Sequence, residues 1–412
     1  MPFSSPSELV QFKNCFILRD HQIIREDLWV RDKKIINPEP IFFDEKIIAD
    51  VQINCNGAII APGYIDLQIN GGFSIDFSHN IENIENGIDQ VANGILAYGV
   101  TSFCPTLITS SPQKYHKIIP KIRKRDGTSL GAGILGIHVE GPFISREKKG
   151  AHPVQYIRSF ESGFQEVIDV YGQLDDICMV TIAPELDPDG QIIKEFNERG
   201  ISVSIGHSVA SLKEGENAFR AGASFITHLF NAMLPFHHRD PGLVGLLTSK
   251  KLPPGKQVFY GIIADGIHTH PATLRIAYKT HPEGLVLVTD AMSAMGLEAG
   301  THYIGDQKVD IRDNCAVIAG TNTLAGSIST MDNCVRYLKE ATGCSTVEAL
   351  ESASLHPAQV LGITKSKGTL DFGSDADFIL LDNDLKVVCT YIAGECVWES
   401  EKSRCAVKRI IP

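Results

Sequence analysis

Short apolar runs that end in small or polar residues recur eight times along the middle of the chain. They cover residues 64–70, 100–106, 134–140, 178–183, 201–207, 224–228, 258–265 and 285–290. Between them lie stretches with apolar residues at helical spacing, such as 84–98, 189–199 and 212–221, the last followed by Gly222 as a C-cap. This alternation of strand and helix predicts an α/β fold, a (β/α)8 TIM-type barrel, whose active site lies at the C-terminal ends of the strands.

The two ends of the chain have a different pattern. Residues 15–51 and 373–397 contain short β-like runs separated by turn residues, without long amphipathic helices. We expect both ends to pair into one small β-sandwich-like domain. The predicted boundaries are 1–60 with 365–412 for this β domain and 61–364 for the barrel.

Composition and net charge indicate which kinds of molecule the protein is expected to bind. The chain has 412 residues, a formal net charge of −11 and a pI near 5.7, so it has no general attraction for polyanions. No large basic patch interrupts this balance, and we expect no binding to nucleic acid or to a membrane. The ten cysteines show no C-x-x-C pair, the first twenty residues do not resemble a secretory leader, and no apolar run approaches the length of a bilayer span. These features predict a cytoplasmic enzyme acting on a small molecule.

One nucleotide-binding pattern proves misleading in context. Residues 131–136 match G-x-G-x-x-G, but a polar charged segment precedes them and an apolar strand follows. The dinucleotide fingerprint requires the reverse order, a strand before it and a helix after it. We therefore do not expect a dinucleotide site.

Residues of the types that bind metals end four of the predicted strands. Glu140 ends the third run, His207 the fifth, His228 the sixth and Asp290 the eighth. A barrel brings these positions to one mouth. Two histidines and a carboxylate suit zinc with one position open to water, and a second carboxylate can move protons. Iron, manganese and cobalt accept similar donors.

Several motifs together resemble one known family. The segments are residues 61–66 (APGYID), 138–143 (HVEGPF), 206–208 (GHS), 227–233 (THLFNAM), 289–292 (TDAM) and 373–377 (GSDAD). In combination they are similar to the N-acetylglucosamine-6-phosphate deacetylases of the amidohydrolase superfamily, nearly end to end. The resemblance implies a hydrolase that converts N-acetyl-D-glucosamine 6-phosphate to D-glucosamine 6-phosphate and acetate.

The first strand departs from the pattern of many amidohydrolases. They carry His-x-His there and bind a second metal, whereas this chain has Gln68 and Asn70 around Ile69. Because neutral amides are poor metal ligands, the resemblance implies one divalent ion per chain, with zinc expected, held by Glu140, His207 and His228.

The resemblance also assigns roles to residues around the metal. Asp290 would take a proton from the activated water and return it to the leaving nitrogen, and His152 would donate to the acetyl carbonyl. The implied substrate-binding set is Ala151, Asn231, Ala232, Arg239, His268, Leu324, Ala325 and Gly326. Within it, the guanidinium of Arg239 can hold phosphate with two parallel hydrogen bonds. The resemblance further implies a homodimer.

Two other functions remain open at this stage. The first is an amidohydrolase of similar fold acting on another N-acyl substrate. The second is a catalytically inactive scaffold that keeps the barrel as an interaction surface, although such proteins usually lose ligand residues that this chain retains.

Overall fold

A computed structural model describes residues 8–79, 81–304, 307–312, 315–321, 323–401, 403 and 405–409. Its largest sheet contains eight parallel strands, each paired with the next. They are Tyr64–Ile69, Val100–Ile108, Ile137–Glu140, Ile177–Ile182, Ser202–Ile205, Phe225–Ile226, Phe259–Ile262 and Leu285–Leu287. Each of the eight predicted apolar runs therefore overlaps a barrel strand, and the predicted barrel is confirmed.

The third predicted run is divided in the structure. A two-residue strand, Gly133–Ile134, pairs with the second barrel strand, and the third barrel strand starts only at Ile137. Gly136 lies between them with φ of 141°, a backbone angle that L-residues rarely adopt. The glycine redirects the chain before the strand that carries Glu140.

The eighth and first strands close the barrel through individual hydrogen bonds. The amide of Asp290 donates to the carbonyl of Gln68 at 2.8 Å, and the amide of Asn70 donates to the carbonyl of Ala291 at 2.8 Å. These contacts join the end of the first strand and the residue after it to the loop that follows the eighth strand. The closure therefore lies at the end of the barrel where the predicted site residues are.

Nine α-helices accompany the strands among the described residues. They are Ile84–Gly94, Pro112–Ile118, Phe164–Tyr171, Gln191–Glu198, Leu212–Ala221, Pro271–Thr280, Met331–Thr342, Thr346–Glu351 and Leu355–Leu361. The fifth begins with a capping box of Ser211 and Glu214. Gly222 is its C-cap, as the sequence predicts. None of the described helices combines the length and apolarity needed to cross a membrane.

The barrel strands are buried on both faces. Ile65, Leu67 and Phe225 belong to one apolar cluster that includes several barrel strands, while Tyr64 and Val203 belong to a larger cluster that includes the helices. A parallel strand covered on both sides has no polar face, which explains the nearly continuous apolar runs in the sequence.

Strands from both ends of the chain form two further sheets. The five-stranded sheet contains Val10–Lys13, Leu28–Arg31, Lys34–Ile35, Val51–Asn54 and Ala406–Arg409. The six-stranded sheet contains Phe16–Arg19, Gln22–Ile24, Ile59–Pro62, Phe378–Leu381, Val387–Ile392 and Glu395–Glu399. Phe12 of the first sheet packs edge to face against Phe378 and Tyr391 of the second. The two sheets therefore share a core.

Sequence analysis did not predict a four-stranded antiparallel sheet that follows the barrel. Its strands are Gly300–Ile304, Gln307–Arg312, Cys315–Ile318 and Leu324–Gly326. The last strand leads into Ser327, whose backbone pairs with Ala291 beside the barrel mouth. This sheet thus brings the predicted residues Ala325 and Gly326 to the site.

Candidate active site

Four predicted site residues lie at or just after the C-terminal ends of barrel strands. Glu140 is the last residue of its strand, whereas His207, His228 and Asp290 follow theirs by two or three residues. The latter three have positive φ, at 47°, 27° and 46°. Non-glycine residues rarely adopt this left-handed backbone, and it is concentrated at functional sites. At each of these three residues the backbone departs from the extended conformation of the strand before it.

The side chains of Glu140, His207 and His228 converge on one point. Oε1 of Glu140 lies 3.1 Å from Nε2 of His207 and 3.0 Å from Nε2 of His228, and the two Nε2 atoms are 3.1 Å apart. Donor atoms bound tetrahedrally to one ion at about 2.0–2.1 Å lie about 3.4 Å from one another. The three buried donors are therefore already spaced to hold a single ion.

The second nitrogen of His207 fixes how this ring can bind. Nδ1 lies 2.7 Å from the carbonyl oxygen of Lys148, so it carries the proton and donates it. Nε2 is then the nitrogen whose lone pair can bind an ion held between Glu140 and His228. This outer hydrogen bond is the usual support of a metal-binding histidine.

Electrostatics in this cluster favour a bound cation. Burial opposes ionisation of Glu140, but hydrogen bonds from His207 and His228 outweigh it and hold the pKa of its carboxyl well below the usual range. Burial also opposes the charge on His228, whereas Glu140 raises the pKa of that ring to about 9. Positive charge is thus stabilised at the centre of the cluster, where a divalent ion would replace the proton.

His152 is close to the cluster but has a different hydrogen-bonding state. Its Nδ1 accepts from the amide of Thr109 at 3.3 Å and lies 2.8 Å from the Thr109 hydroxyl. Burial and the neighbouring charge of His207 lower the pKa of His152 to about 3, so the ring is neutral with its proton on Nε2. Although His152 groups with Glu140 and His207 as a possible ligand, a protonated Nε2 acts as a donor.

Asp290 is held by the two amides that stand in place of the His-x-His pair. Its Oδ1 accepts from Nδ2 of Asn70 at 2.6 Å and from Nε2 of Gln68 at 3.2 Å. The same Gln68 nitrogen donates to Oε1 of Glu140 at 3.1 Å. Burial and the charge of Glu140 raise the pKa of Asp290 to about 6. Gln68 and Asn70 therefore orient the two carboxylates by donation.

A cavity of about 730 Å³ opens over this cluster. Four predicted substrate-binding residues line it, namely Ala151, His268, Ala325 and Gly326. His268 pairs through Nδ1 with Oδ2 of Asp265 at 2.6 Å. Burial opposes its charge, but this carboxylate raises the pKa of His268 above the ordinary histidine value. The cavity is large enough for a monosaccharide phosphate.

The other predicted substrate-binding residues do not line this cavity in the single chain. Arg239 lies on an exposed loop, where its Nε contacts Nε2 of His238 at 3.2 Å. Asn231 and Ala232 are half-buried beside the sixth strand, and Leu324 is exposed. The structure therefore does not bring Arg239 to the reacting groups within one chain.

Sequence reasoning gave no role to Asp66, a buried carboxylate beneath the site. Its Oδ2 accepts from the hydroxyl of Thr289 at 2.5 Å, and its Oδ1 accepts from the amides of Thr289 and Gln68 at 3.3 and 3.2 Å. Burial raises the pKa of Asp66 to about 7. Asp66 thus ties the first strand to the residue before Asp290. The sequence feature that could have indicated Asp66 is its position as the one acidic residue in the first apolar run.

Comparisons with known proteins agree with this geometry. The sequence profile of the amidohydrolase family matches residues 59–397. The chain is 59% identical over 396 residues to N-acetylglucosamine-6-phosphate deacetylase of Mus musculus, covering 96% of this chain and 97% of the relative. It is 60% identical over 395 residues to the Danio rerio enzyme of the same name, covering 96% and 98%. The crystal structure of N-acetylglucosamine-6-phosphate deacetylase from Pasteurella multocida superimposes with a TM-score of 0.80 at 30% identity, covering 94% of this chain and 99% of that one.

Proposed function

The chain belongs to the amidohydrolase family, and from that premise we propose that it deacetylates N-acetyl-D-glucosamine 6-phosphate, releasing D-glucosamine 6-phosphate and acetate. The carrying observation is the convergence of Glu140, His207 and His228 to within 3.1 Å of one another in the same cavity as Asp290. This arrangement suits hydrolysis of an amide. The amide carbonyl needs a Lewis acid to polarise it, and the nitrogen, a poor leaving group, needs a proton donor.

One divalent ion per chain, with zinc as the proposed species, would be held by Glu140, His207 and His228. The donor set of two imidazole nitrogens and one carboxylate oxygen fits zinc with a position left open. When bound, the ion supplies Lewis acidity, which lowers the pKa of water and polarises the acetyl carbonyl. Gln68 and Asn70 direct their amide protons at carboxylates, which supports a single-metal site.

Asp290 moves the proton in this proposal. Two amide donors already occupy its Oδ1, so Oδ2 is the oxygen that takes a proton from the attacking water. The same oxygen then returns the proton to the departing nitrogen, which would otherwise leave as an unstable anion. The contacts from Asn70 and Gln68 keep the carboxylate in one orientation during both transfers.

His152 supplies the complementary donor. Its Nδ1 is an acceptor for the Thr109 amide, so the neutral ring presents Nε2–H toward the metal-binding cluster. A fixed neutral donor at this position stabilises the negative charge that develops on the carbonyl oxygen. His152 would therefore bind the acetyl group and strengthen that contact as the tetrahedral state forms.

We propose that His268, Arg239, Asn231 and the backbone of Ala232 bind the phosphorylated sugar, with Ala151 and the loop Leu324, Ala325 and Gly326 lining its pocket. His268 reaches the cavity with a raised pKa, which favours its cationic form. We also propose a homodimer. Leu234 and Phe236, next to Arg239, are 36% and 64% exposed and offer apolar surface for such a contact.

The domain boundaries and the location are proposals as well. We assign residues 1–60 and 365–412 to a small β-sandwich-like domain and residues 61–364 to the barrel. Two sheets with a common core support the β domain. The nine cysteines other than Cys315 form no disulfide among the described residues, which supports a reducing, cytoplasmic location.

An acetate-release screen tests the proposed reaction directly. Metal-quantified protein would be assayed on N-acetylglucosamine 6-phosphate, N-acetylgalactosamine 6-phosphate and unphosphorylated N-acetylglucosamine, before and after chelation and zinc addition. We expect the first substrate to be preferred, and we expect chelation to abolish activity reversibly. Activity only on a different N-acyl compound would indicate another amidohydrolase, while a metal-loaded protein without acetate release from any substrate would indicate a scaffold.

A further inference from the structure

One wall of the active-site cavity is formed by the loops that follow the first and eighth barrel strands. The amides of Asn70 and Gly71 donate to the carbonyl of Ala291 at 2.8 and 3.0 Å, and the amide of Ser74 donates to the carbonyl of Ser293 at 2.8 Å. Asn70, Ser74 and Ser293 all line the cavity. Their backbone is therefore fixed independently of any ligand.

Two oxygen atoms in this wall are buried and lack a hydrogen-bond partner among the described residues: Oγ of Ser293 and Oδ1 of Asn70. Ser293 is only 1% exposed. The orientation of Asn70 is determined because its NH2 group must face the ionised Asp290, which only accepts hydrogen bonds. Its carbonyl oxygen is consequently left as a free acceptor.

Such atoms are concentrated at the cavity. Eight buried side-chain polar atoms lack partners among the described residues, and three belong to residues lining this one cavity, with Nδ1 of His228 as the third. A buried hydroxyl without a partner destabilises the folded state, and alanine would avoid that cost. A hydroxyl retained at a cavity surface points to a ligand that supplies the partner.

The chemistry of this pair selects a neutral hydroxyl rather than the phosphate. Asn70 Oδ1 only accepts, whereas the Ser293 hydroxyl can donate, so one sugar hydroxyl can donate to the first and accept from the second. A phosphate dianion has no proton to donate, and the carboxylates of Asp76 and Asp290 line the same cavity and would repel it. The phosphate therefore belongs away from this wall.

We propose that Ser293 is a specificity-determining residue whose hydroxyl, together with Asn70 Oδ1, binds a ring hydroxyl of the amino sugar. Asn70 contacts Asp290, and Asp290 must reach the acetamide nitrogen on C2 of the sugar. The hydroxyl bound by Asn70 and Ser293 is therefore on a carbon next to C2, which is C1 or C3. This inference rests on the proposed function, because it requires an N-acetylamino-sugar substrate in the cavity.

Steady-state kinetics of Ser293→Ala test the inference. With N-acetylglucosamine 6-phosphate we expect kcat/KM to fall about 3- to 10-fold, the range of one neutral hydrogen bond. On the 1-deoxy or the 3-deoxy analogue, whichever lacks the contacted hydroxyl, the variant and the wild type should perform equally. On the 4-deoxy analogue the loss should persist. Metal content should remain that of the wild type.

Ser102→Ala is the matched control. Ser102 also carries a buried hydroxyl without a partner among the described residues, but it lies in the second barrel strand and does not line the cavity. Its substitution should leave both kcat and KM unchanged, and neither variant should lower Tm. Wild-type kinetics for Ser293→Ala, or an equal loss on every analogue, would overturn the inference. Failure of the proposed function is distinguishable, because the wild type itself would then release no acetate.

Discussion

Replacement of Asp290 by asparagine isolates proton transfer from metal binding. The retained side-chain oxygen of Asp290→Asn can still accept from Asn70 and Gln68, the two donors at 2.6 and 3.2 Å from Oδ1. The amide then occupies the position of Oδ2 and cannot take a proton from water. Glu140, His207 and His228 are unaltered, so the metal shell should remain.

The expected loss follows from the role of the carboxylate. A positioned general acid or base contributes about 10²- to 10⁴-fold to the rate. At about 1.4 kcal/mol per decade this is a rise of about 3 to 6 kcal/mol in the activation barrier. We therefore expect kcat to fall by at least about 10²-fold while KM changes little.

The pH profile provides a second readout for Asp290→Asn. The wild-type rate should rise with pH as the carboxylate loses its proton. Burial and Glu140 raise the pKa of Asp290 to about 6, and a bound cation lowers it again, so this acid limb should lie below about pH 6. The variant should lack the limb. The measurements are acetate release and, by elemental analysis, metal content. Near-normal turnover in the metal-loaded variant would refute the assignment of Asp290 to proton transfer.

Three further predictions concern the metal shell and the phosphate. His207→Ala and His228→Ala should each lose tight metal binding and activity together, whereas two essential ions per wild-type chain in elemental analysis would contradict a single site. Arg239→Ala should reduce kcat/KM about 10- to 100-fold for the phosphorylated substrate but hardly for N-acetylglucosamine. Arg239→Lys should recover part of this loss, because lysine keeps the charge but not the planar guanidinium. Equal losses on both substrates would make Arg239 structural. Because Asp265 raises the pKa of His268, KM for the phosphorylated substrate should increase as pH rises through that pKa and His268 loses its charge. In His268→Gln that dependence should disappear, and an unchanged KM-versus-pH curve would remove His268 from phosphate binding.

The barrel could be predicted because its strands have a simple environment. Strands such as Ile177–Ile182 and Leu285–Leu287 are buried on both faces, so apolar residues run almost without interruption. The sheet from Gly300 to Gly326 escaped prediction for the opposite reason. Its strands are partly exposed, as at Tyr303 and Leu324, and strands such as Gln307–Arg312 mix polar with apolar residues.

The candidate site was predictable to the extent that it depends on strand ends. The ends of parallel strands meet at one mouth, which places Glu140, His207 and His228 together regardless of loop detail. The hydrogen bonds of Gln68 with Glu140 and Asp290 join residues far apart in the chain, and no local pattern encodes them. The exposed position of Arg239 likewise depends on the path of a loop.

The pairing of Ile59–Pro62 with Phe378–Leu381 has a consequence for biosynthesis. The first strand leaves the ribosome more than 300 residues before its partner, a delay of about 15 to 60 s at 5–20 residues per second. All eight barrel strands emerge in that interval, so the barrel can collapse while the early strands still present unpaired edges. Truncated nascent chains ending before residue 378 should therefore be the species that chaperones bind and proteases cleave near the N-terminal strands.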